Sequence, residues 1–550
     1  MSTVQGGIWC GISTTGGCVD TLFVNGAVFD GTTYHEDLDV GVRSGRIVAV
    51  GQNLEAAETV DLHGGLLLPG FVDAHVHPVQ GGLERGRCDL APLHGLPAYQ
   101  EAIKQYADLR PTLPWILSGG WHQPDFPGAA PRATDLDRVT GNRPAFLVNA
   151  DHHGAWVNSA ALRRAGIDKH TPDPPDGRIE RDHDGNPTGT LHEGAMDLVG
   201  GFVPPTTHVE LVAALMDAQA YLHSLGVTGW QDAILGAYAN MPDATAAYRE
   251  LAEDGRLTAR VNGALWWQRD RGTDQIPELQ AKRDAIGYPR FRARSVKIMQ
   301  DGVAENFTAG LLEPYFDGRG GRTANTGLSF VDPIELRTAI TQLDAAGFQV
   351  HVHAIGDRAV REALDAFETA LKENGDNDLR HHLAHLQVIH PDDVKRFADL
   401  GITANLQALW ARYDAQMVEL TVPYLGDERT RWQYPFGDLA RSGARLAAGS
   451  DWPVSSPDPL AAIHVAVNRR DAPTDEPFLP EQALDLTTTL AAYTSGSAWV
   501  NHADDTGRIE VGALADLVIL DRDLFTTPPD EIAAARVRAT YVEGECVFDS

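Results

Sequence analysis

Gly70-Phe71-Val72-Asp73-Ala74-His75-Val76-His77-Pro78 is the stretch on which the fold turns. An apolar run at 66–68 enters it through Pro69-Gly70, and Val72, Ala74 and Val76 then alternate with Phe71, Asp73, His75 and His77. That period of two predicts a strand with both imidazoles on one face. Two neutral imidazoles beside a carboxylate that can hold one ring's other nitrogen suit a divalent metal. A pair of hydrogen-bonded core histidines would share the spacing, so the decision rests on the remainder of the chain.

Apolar runs with strand character recur at 226–232, 257–264, 294–301, 347–354, 382–388, 402–407 and 444–451, which with the opening strand makes eight. Helical patterns lie between several of them. Asp332 as a cap with Pro333 at the first helical position predicts a helix towards 346, and 357–372 reads as another. Eight strands alternating with helices predict an α/β fold, a (β/α)8 TIM barrel over 69–504. The segment from 79 to about 205 is too long for one connection, so a large insertion after strand 1 is expected over the barrel mouth. Within it, 115–122 and 144–153 have strand character and 171–189 is rich in turn residues.

Short strands with Asn-Gly and Ser-Gly turns occupy 22–29, 38–42 and 45–51, and the same style returns at 507–512, 515–520 and 539–542. They predict one small composite β-sandwich domain built from 20–68 and 505–550, because chain ends commonly meet. Residues 1–19, rich in Gly, Ser and Thr, read as a flexible leader.

Among 550 residues the formal charge is −31, which repels nucleic-acid backbones and anionic membranes and leaves a small molecule as the expected partner. The four cysteines, Cys10, Cys18, Cys88 and Cys546, form no C-x-x-C pair or disulfide framework. The N-terminus has no basic n-region followed by an apolar h-region, and no stretch approaches the roughly 18 apolar residues of a membrane span. A cytoplasmic location is therefore expected, with a homodimer as the candidate assembly.

Polar groups that do not belong in buried strands gather near predicted strand ends. Lys297 stands in Val296-Lys297-Ile298-Met299, where a bare ammonium is costly, so it needs a partner or a modification. His353 closes the fifth strand with His351 on the same face; His385 lies in the sixth behind His381 and His382. Asp451 ends the eighth after Ala447-Ala448-Gly449-Ser450. Spacing alone does not choose within either histidine cluster, but barrel strand ends converge on one mouth.

Phe71-Val72-Asp73-Ala74-His75-Val76-His77, Lys297, His353, His385 and Gly449-Ser450-Asp451 resemble the metal-ligand set of the amidohydrolase superfamily. The motifs Asn149-Ala150-Asp151-His152-His153-Gly154, Gly185-Asn186-Pro187-Thr188-Gly189, Lys297-Ile298-Met299-Gln300-Asp301-Gly302 and His353-Ala354-Ile355-Gly356-Asp357 are similar to its amidohydrolase 3 (YtcJ-like) branch, which includes N-substituted formamide deformylases. The resemblance implies one or two divalent metals, Zn2+ first among them. His75, His77 and Asp451 would hold one and His353 and His385 a second, with Lys297 bridging as a carboxylated side chain. Asp232, Gln300 and Asp301 also match family positions.

On that basis Asp451 and His353 are the catalytic candidates, Asp451 taking the water proton and returning it to the leaving nitrogen. The substrate-site candidates are Trp121, His122, His153, Gln300, Asp301 and Trp410, with His152 and Trp267 as further options. The expected activity is metal-dependent hydrolysis of a non-peptide C–N bond, in an amide or N-substituted formamide. The alternatives are hydrolysis of cyclic amides, esters or aromatic amines on the same site, and a metal-binding regulatory protein without turnover.

Overall fold

A computed structural model of the chain describes residues 19–238 and 241–550, so the leader expected at 1–19 lies, but for its last residue, outside the described residues, as do Cys10 and Cys18. Eight parallel strands form one sheet: β1 (Phe71–Val76), β2 (Val227–Leu235), β3 (Arg260–Trp266), β4 (Phe291–Met299), β5 (Gln349–Ala354), β6 (His382–His385), β7 (Thr403–Leu406) and β8 (Leu446–Ala448). Each pairs with the next in sequence order, as required of a barrel whose crossovers all run the same way.

The seam between β8 and β1 is closed just past the strand ends. Asp451 N–H donates to the His75 carbonyl (2.8 Å) and His77 N–H to the Trp452 carbonyl (2.8 Å). Such a close pass requires a missing side chain: a Cβ at Gly449 would lie 2.6 Å from the His75 Cβ. β1 itself ends at Val76, and His77 is the cap residue of the helix Pro78–Gly86.

Alternation along each strand separates two environments. On β5, Val350 and Val352 share the apolar core with Leu336, Ile340, Ala363 and Leu364 of the surrounding helices. Each such Val or Leu contributes about 1.5–3 kcal/mol on burial. Gln349, His351 and His353 alternate with these valines along the strand. The helix Pro333–Ala345 starts where expected, with the Asp332 side chain accepting from Ile334 and Glu335 N–H, and Asp357–Asn374 follows β5.

Between β1 and β2 a six-stranded sheet runs in the order Gly177–Arg181, Pro187–Glu193, Gly154–Val157, Ala145–Asn149, Ile116–Trp121, Cys88–Asp89. The chain ends meet where Leu66–Pro69 pairs antiparallel with Leu517–Leu520. Phe23, Val40, Ile47, Leu67, Leu517 and Ile519 share one apolar cluster there. The strand expected at 507–512 is instead a turn segment; Ile509 N–H donates to Asp30 O (2.9 Å) and Gly512 N–H to Ile47 O (2.8 Å), so its backbone groups are spent outside a ladder. Among the described residues no helix is long and apolar enough to cross a membrane.

Candidate metal centre and its cavity

His75, His77 and Asp451 converge at the C-terminal mouth of the barrel. Asp451 Oδ1 lies 3.2 Å from His75 Nε2 and 3.0 Å from His77 Nε2 without a well-aligned hydrogen bond to either, and the three ligand atoms fit within 4.8 Å of one another. His385 Nδ1 is 3.7 Å from Asp451 Oδ2, yet both its ring nitrogens are buried without a hydrogen-bond partner. An orphaned buried polar group costs about 1–3 kcal/mol, and this ring has two. Asp451 (φ +57°) and His385 (φ +79°) also hold left-handed backbone conformations, a strain of order 1–3 kcal/mol each. One nitrogen each from His75 and His77 and a carboxylate oxygen of Asp451, mutually within 4.8 Å, are a donor set that fits a divalent ion of the zinc type.

Lys297, on β4, lies among these ligands, with Nζ 3.4 Å from His75 Nε2 and 3.4 Å from His351 Nε2. Burial pushes its amine down to about 7, against the pull of Asp451. Burial likewise brings His75 to about 3, and it is the main cause holding His353 and His385 well below the usual imidazole range. These rings are therefore neutral, the form in which imidazole binds metal. Burial raises the Asp451 carboxyl, but His75, His77 and His385 outweigh it and hold the group well below the ordinary carboxylate range.

The partner of His75 is not the one expected. Asp73 accepts the backbone N–H of His75 (3.0 Å) and of Ser450 (3.0 Å), bracing the seam, and holds no imidazole nitrogen. His75 Nδ1 instead meets His351 Nε2 at 2.9 Å, and His351 Nδ1 meets Gln231 Oε1 at 2.6 Å. Of the two histidines on β5, His353 reaches the cavity and His351 supports His75. His381 binds Asp344 (2.9 Å) and His382 packs on His351, which leaves His385 as the β6 residue at the mouth.

The centre opens into a cavity of about 400 Å³ whose wall combines Leu117, Phe146, Met196, Trp266, Trp410 and Met417 with charged residues, among them Arg87, Glu305, Arg412 and Asp414. Trp410 stacks parallel on His385 with ring centres 5.5 Å apart, its N–H donating to Ser455 Oγ (3.1 Å). The insertion contributes His122, His152 and His153. His122 lies 3.0 Å from Ala91 O and stacks on His94, while His152 contacts Gln80 and is 3.5 Å from Glu84. His153 Nδ1 pairs with Glu193 Oε2 at 2.9 Å. Burial works against its charge, but Glu193 and Asp151 outweigh burial and lift the ring to about 9.

Three substrate-site candidates do not reach the cavity. Trp121 is fully buried in the insertion core against Phe126 and Trp156, its N–H on Leu147 O. Gln300 is fully buried and donates to Val331 O and Glu362. Asp301 accepts the N–H groups of Gly310, Ile355 and Gly356, fastening the loops after β4 and β5. Asp232 accepts from Tyr248 (2.7 Å), and Trp267 is buried while its neighbour Trp266 lines the cavity. Glu193 escaped the sequence reading, because nothing local signals a carboxylate that finds its histidine 40 residues away.

Residues 58–548 match the amidohydrolase family profile. The chain belongs to the amidohydrolase family. It is 30% identical over 497 residues to YtcJ of Bacillus subtilis, covering 90% of each chain, and 28% identical over 529 residues to the N-substituted formamide deformylase of Arthrobacter pascens, covering 92% of this amidohydrolase and 93% of that protein. An uncharacterized metal-dependent hydrolase from Pyrococcus furiosus shares the fold at a TM-score of 0.69 and 26% identity, over 92% of this amidohydrolase and 99% of that chain.

Proposed function

We propose that this amidohydrolase is a metal-dependent hydrolase of a non-peptide C–N bond in a small amide or N-substituted formamide. The observation that carries the reading is the convergence of His75, His77 and Asp451 beside Lys297 and the partnerless His385, on the floor of a cavity lined by both apolar and polar side chains. His75, His77 and Asp451 would hold one ion and His353 and His385 a second, zinc being the ion that N/O donors of this kind favour. Bound there, a divalent metal supplies an acidified water and a polarised carbonyl. Lys297 completes the set as a carbamate: its buried amine, brought down to about 7, has a neutral fraction near pH 7 that offers a lone pair to CO2 and loses a proton, so an awkward buried cation becomes an anionic ligand.

Asp451 takes the proton of the attacking water and returns it to the nitrogen as the C–N bond breaks, giving a carboxylic acid and an amine. The apolar part of the wall, with Phe146, Trp266 and Trp410, would accept an apolar N-substituent. The same reading places the insertion sheet as a cover over the mouth and the joined chain ends as a separate β unit, in a cytoplasmic enzyme that meets its substrate as a monomer or homodimer.

The test is elemental analysis of protein purified without chelator, with amine release measured on a panel of N-substituted formamides, N-acyl amino acids, lactones and nucleobases. Bound divalent metal together with amine release from formamides supports the reading. Absence of metal even after reconstitution, or turnover confined to lactones or nucleobases, overturns it.

A further inference from the structure

We propose that His153, held by Glu193, is a catalytic residue: its Nε2–H hydrogen-bonds the substrate carbonyl oxygen and stabilises the oxyanion that forms there. This rests on the hydrolytic reading above and assigns within that site a role to the insertion.

His153 is fastened from three sides. Its backbone N–H donates to Asp151 Oδ1 (2.8 Å), its carbonyl accepts from Asn306 Nδ2 (3.0 Å), and its Nδ1 is spent on Glu193 Oε2 (2.9 Å). Only Nε2 is left for the cavity that the residue lines, and the ring centre is 6.1 Å from that of His353 at the candidate metal centre. Glu193 is held in turn by Thr308 Oγ1 (2.8 Å) and carries the uncommon backbone angle φ +51°. A Cβ at Gly302 would lie 2.1 Å from Thr308 Oγ1 and 2.8 Å from Glu193 Oε1, so the chain leaves out a side chain where this support is built. Strain and a close approach spent on orienting one imidazole are what preorganised donors require. A carboxylate oxygen 2.9 Å from Nδ1 favours the doubly protonated ring, which places a hydrogen on Nε2 facing the cavity.

In the reaction the water oxygen bonds to the carbonyl carbon as the C=O π pair moves onto oxygen, where it meets Nε2–H. When C=O re-forms, the C–N bond breaks, its electron pair leaves on nitrogen, and nitrogen takes the proton that the water gave to Asp451. His153 ends as it began.

The experiment uses full-length, metal-loaded protein and its His153→Gln, His153→Asn and Glu193→Gln variants. Metal content, KM and kcat for the best formamide, and affinity for an N-alkyl methylphosphonamidate, a tetrahedral analogue, are measured for each. The expected result is a kcat loss of about 100-fold in the His153 variants with KM within about threefold, a matching loss of analogue affinity, unchanged metal content, and a smaller kcat loss in Glu193→Gln. Unchanged kcat, or a loss that tracks metal content or KM, overturns the role. A wild-type protein that binds the analogue but hydrolyses no amide refutes the hydrolytic reading; the role of His153 is then decided by whether His153→Gln weakens that binding.

Discussion

Asp451 N–H donates to the carbonyl oxygen of His75 at 2.8 Å, so the bond that closes the barrel seam also sets two of the candidate metal ligands side by side. Asp73 ties the same place together through the N–H groups of His75 and Ser450. Fold closure and ligand geometry are one structure here, and changes at the seam act on both.

Gly449→Ala tests that coupling. The new Cβ would meet His75 at 2.6 Å, a backbone-side clash that no rotamer relieves. A destabilisation of about 1–3 kcal/mol is expected, with loss of bound metal. Thermal unfolding and metal analysis check it against Gly86→Ala, whose Cβ meets nothing within 4 Å and which should leave both unchanged.

Asp451→Asn keeps the shape and the seam hydrogen bond, which is made by backbone, but removes the carboxylate proposed to accept the proton. Turnover should fall by at least about 100-fold while circular dichroism and the unfolding transition stay close to wild type. Full activity would remove Asp451 from proton transfer.

Lys297→Ala removes the group whose Nζ stands 3.4 Å from His75 Nε2. About two equivalents of metal in the wild type, falling in the variant, would support a bridging carbamate. Wild-type protein depleted of CO2 at mildly acidic pH should lose the same metal and recover it with bicarbonate. About one equivalent in both proteins would leave Lys297 a different role.

Glu180 offers a pH handle within the insertion. The His192 ring 3.1 Å away lowers its carboxyl most, burial opposes, and Arg178 adds to the lowering, leaving it at about 2 against an ordinary 4.5. A folded-state pKa below the unfolded one gives stability that is complete above about 4.5 and is lost as pH falls towards 2. Glu180→Gln should therefore unfold at a lower temperature than wild type at pH 6, the gap closing by about pH 2–3. A gap that does not change with pH would show that packing, and not charge, holds this hairpin.

Chain order and local pattern were enough for much of this protein. The eight strand runs and the Asp332-Pro333 helix start are legible because period-two alternation and caps are properties of adjacent residues, whereas the choice of His353 and His385 within their histidine clusters came from the family resemblance and not from spacing. Tertiary structure alone decided depth and partnership. His351 and His353 share a face of β5, yet His351 braces His75 while His353 reaches the cavity, because successive inward side chains occupy different levels along the barrel axis. Trp266 faces the cavity and Trp267 is buried, Trp121 fills the insertion core, and Gln300 and Asp301 serve loop backbones, although aromatic or polar character next to a motif looks alike in each case. Local sequence records which chemistry a residue carries. Which atom that chemistry meets depends on strands and loops hundreds of positions apart, as Asp451 on His75 shows.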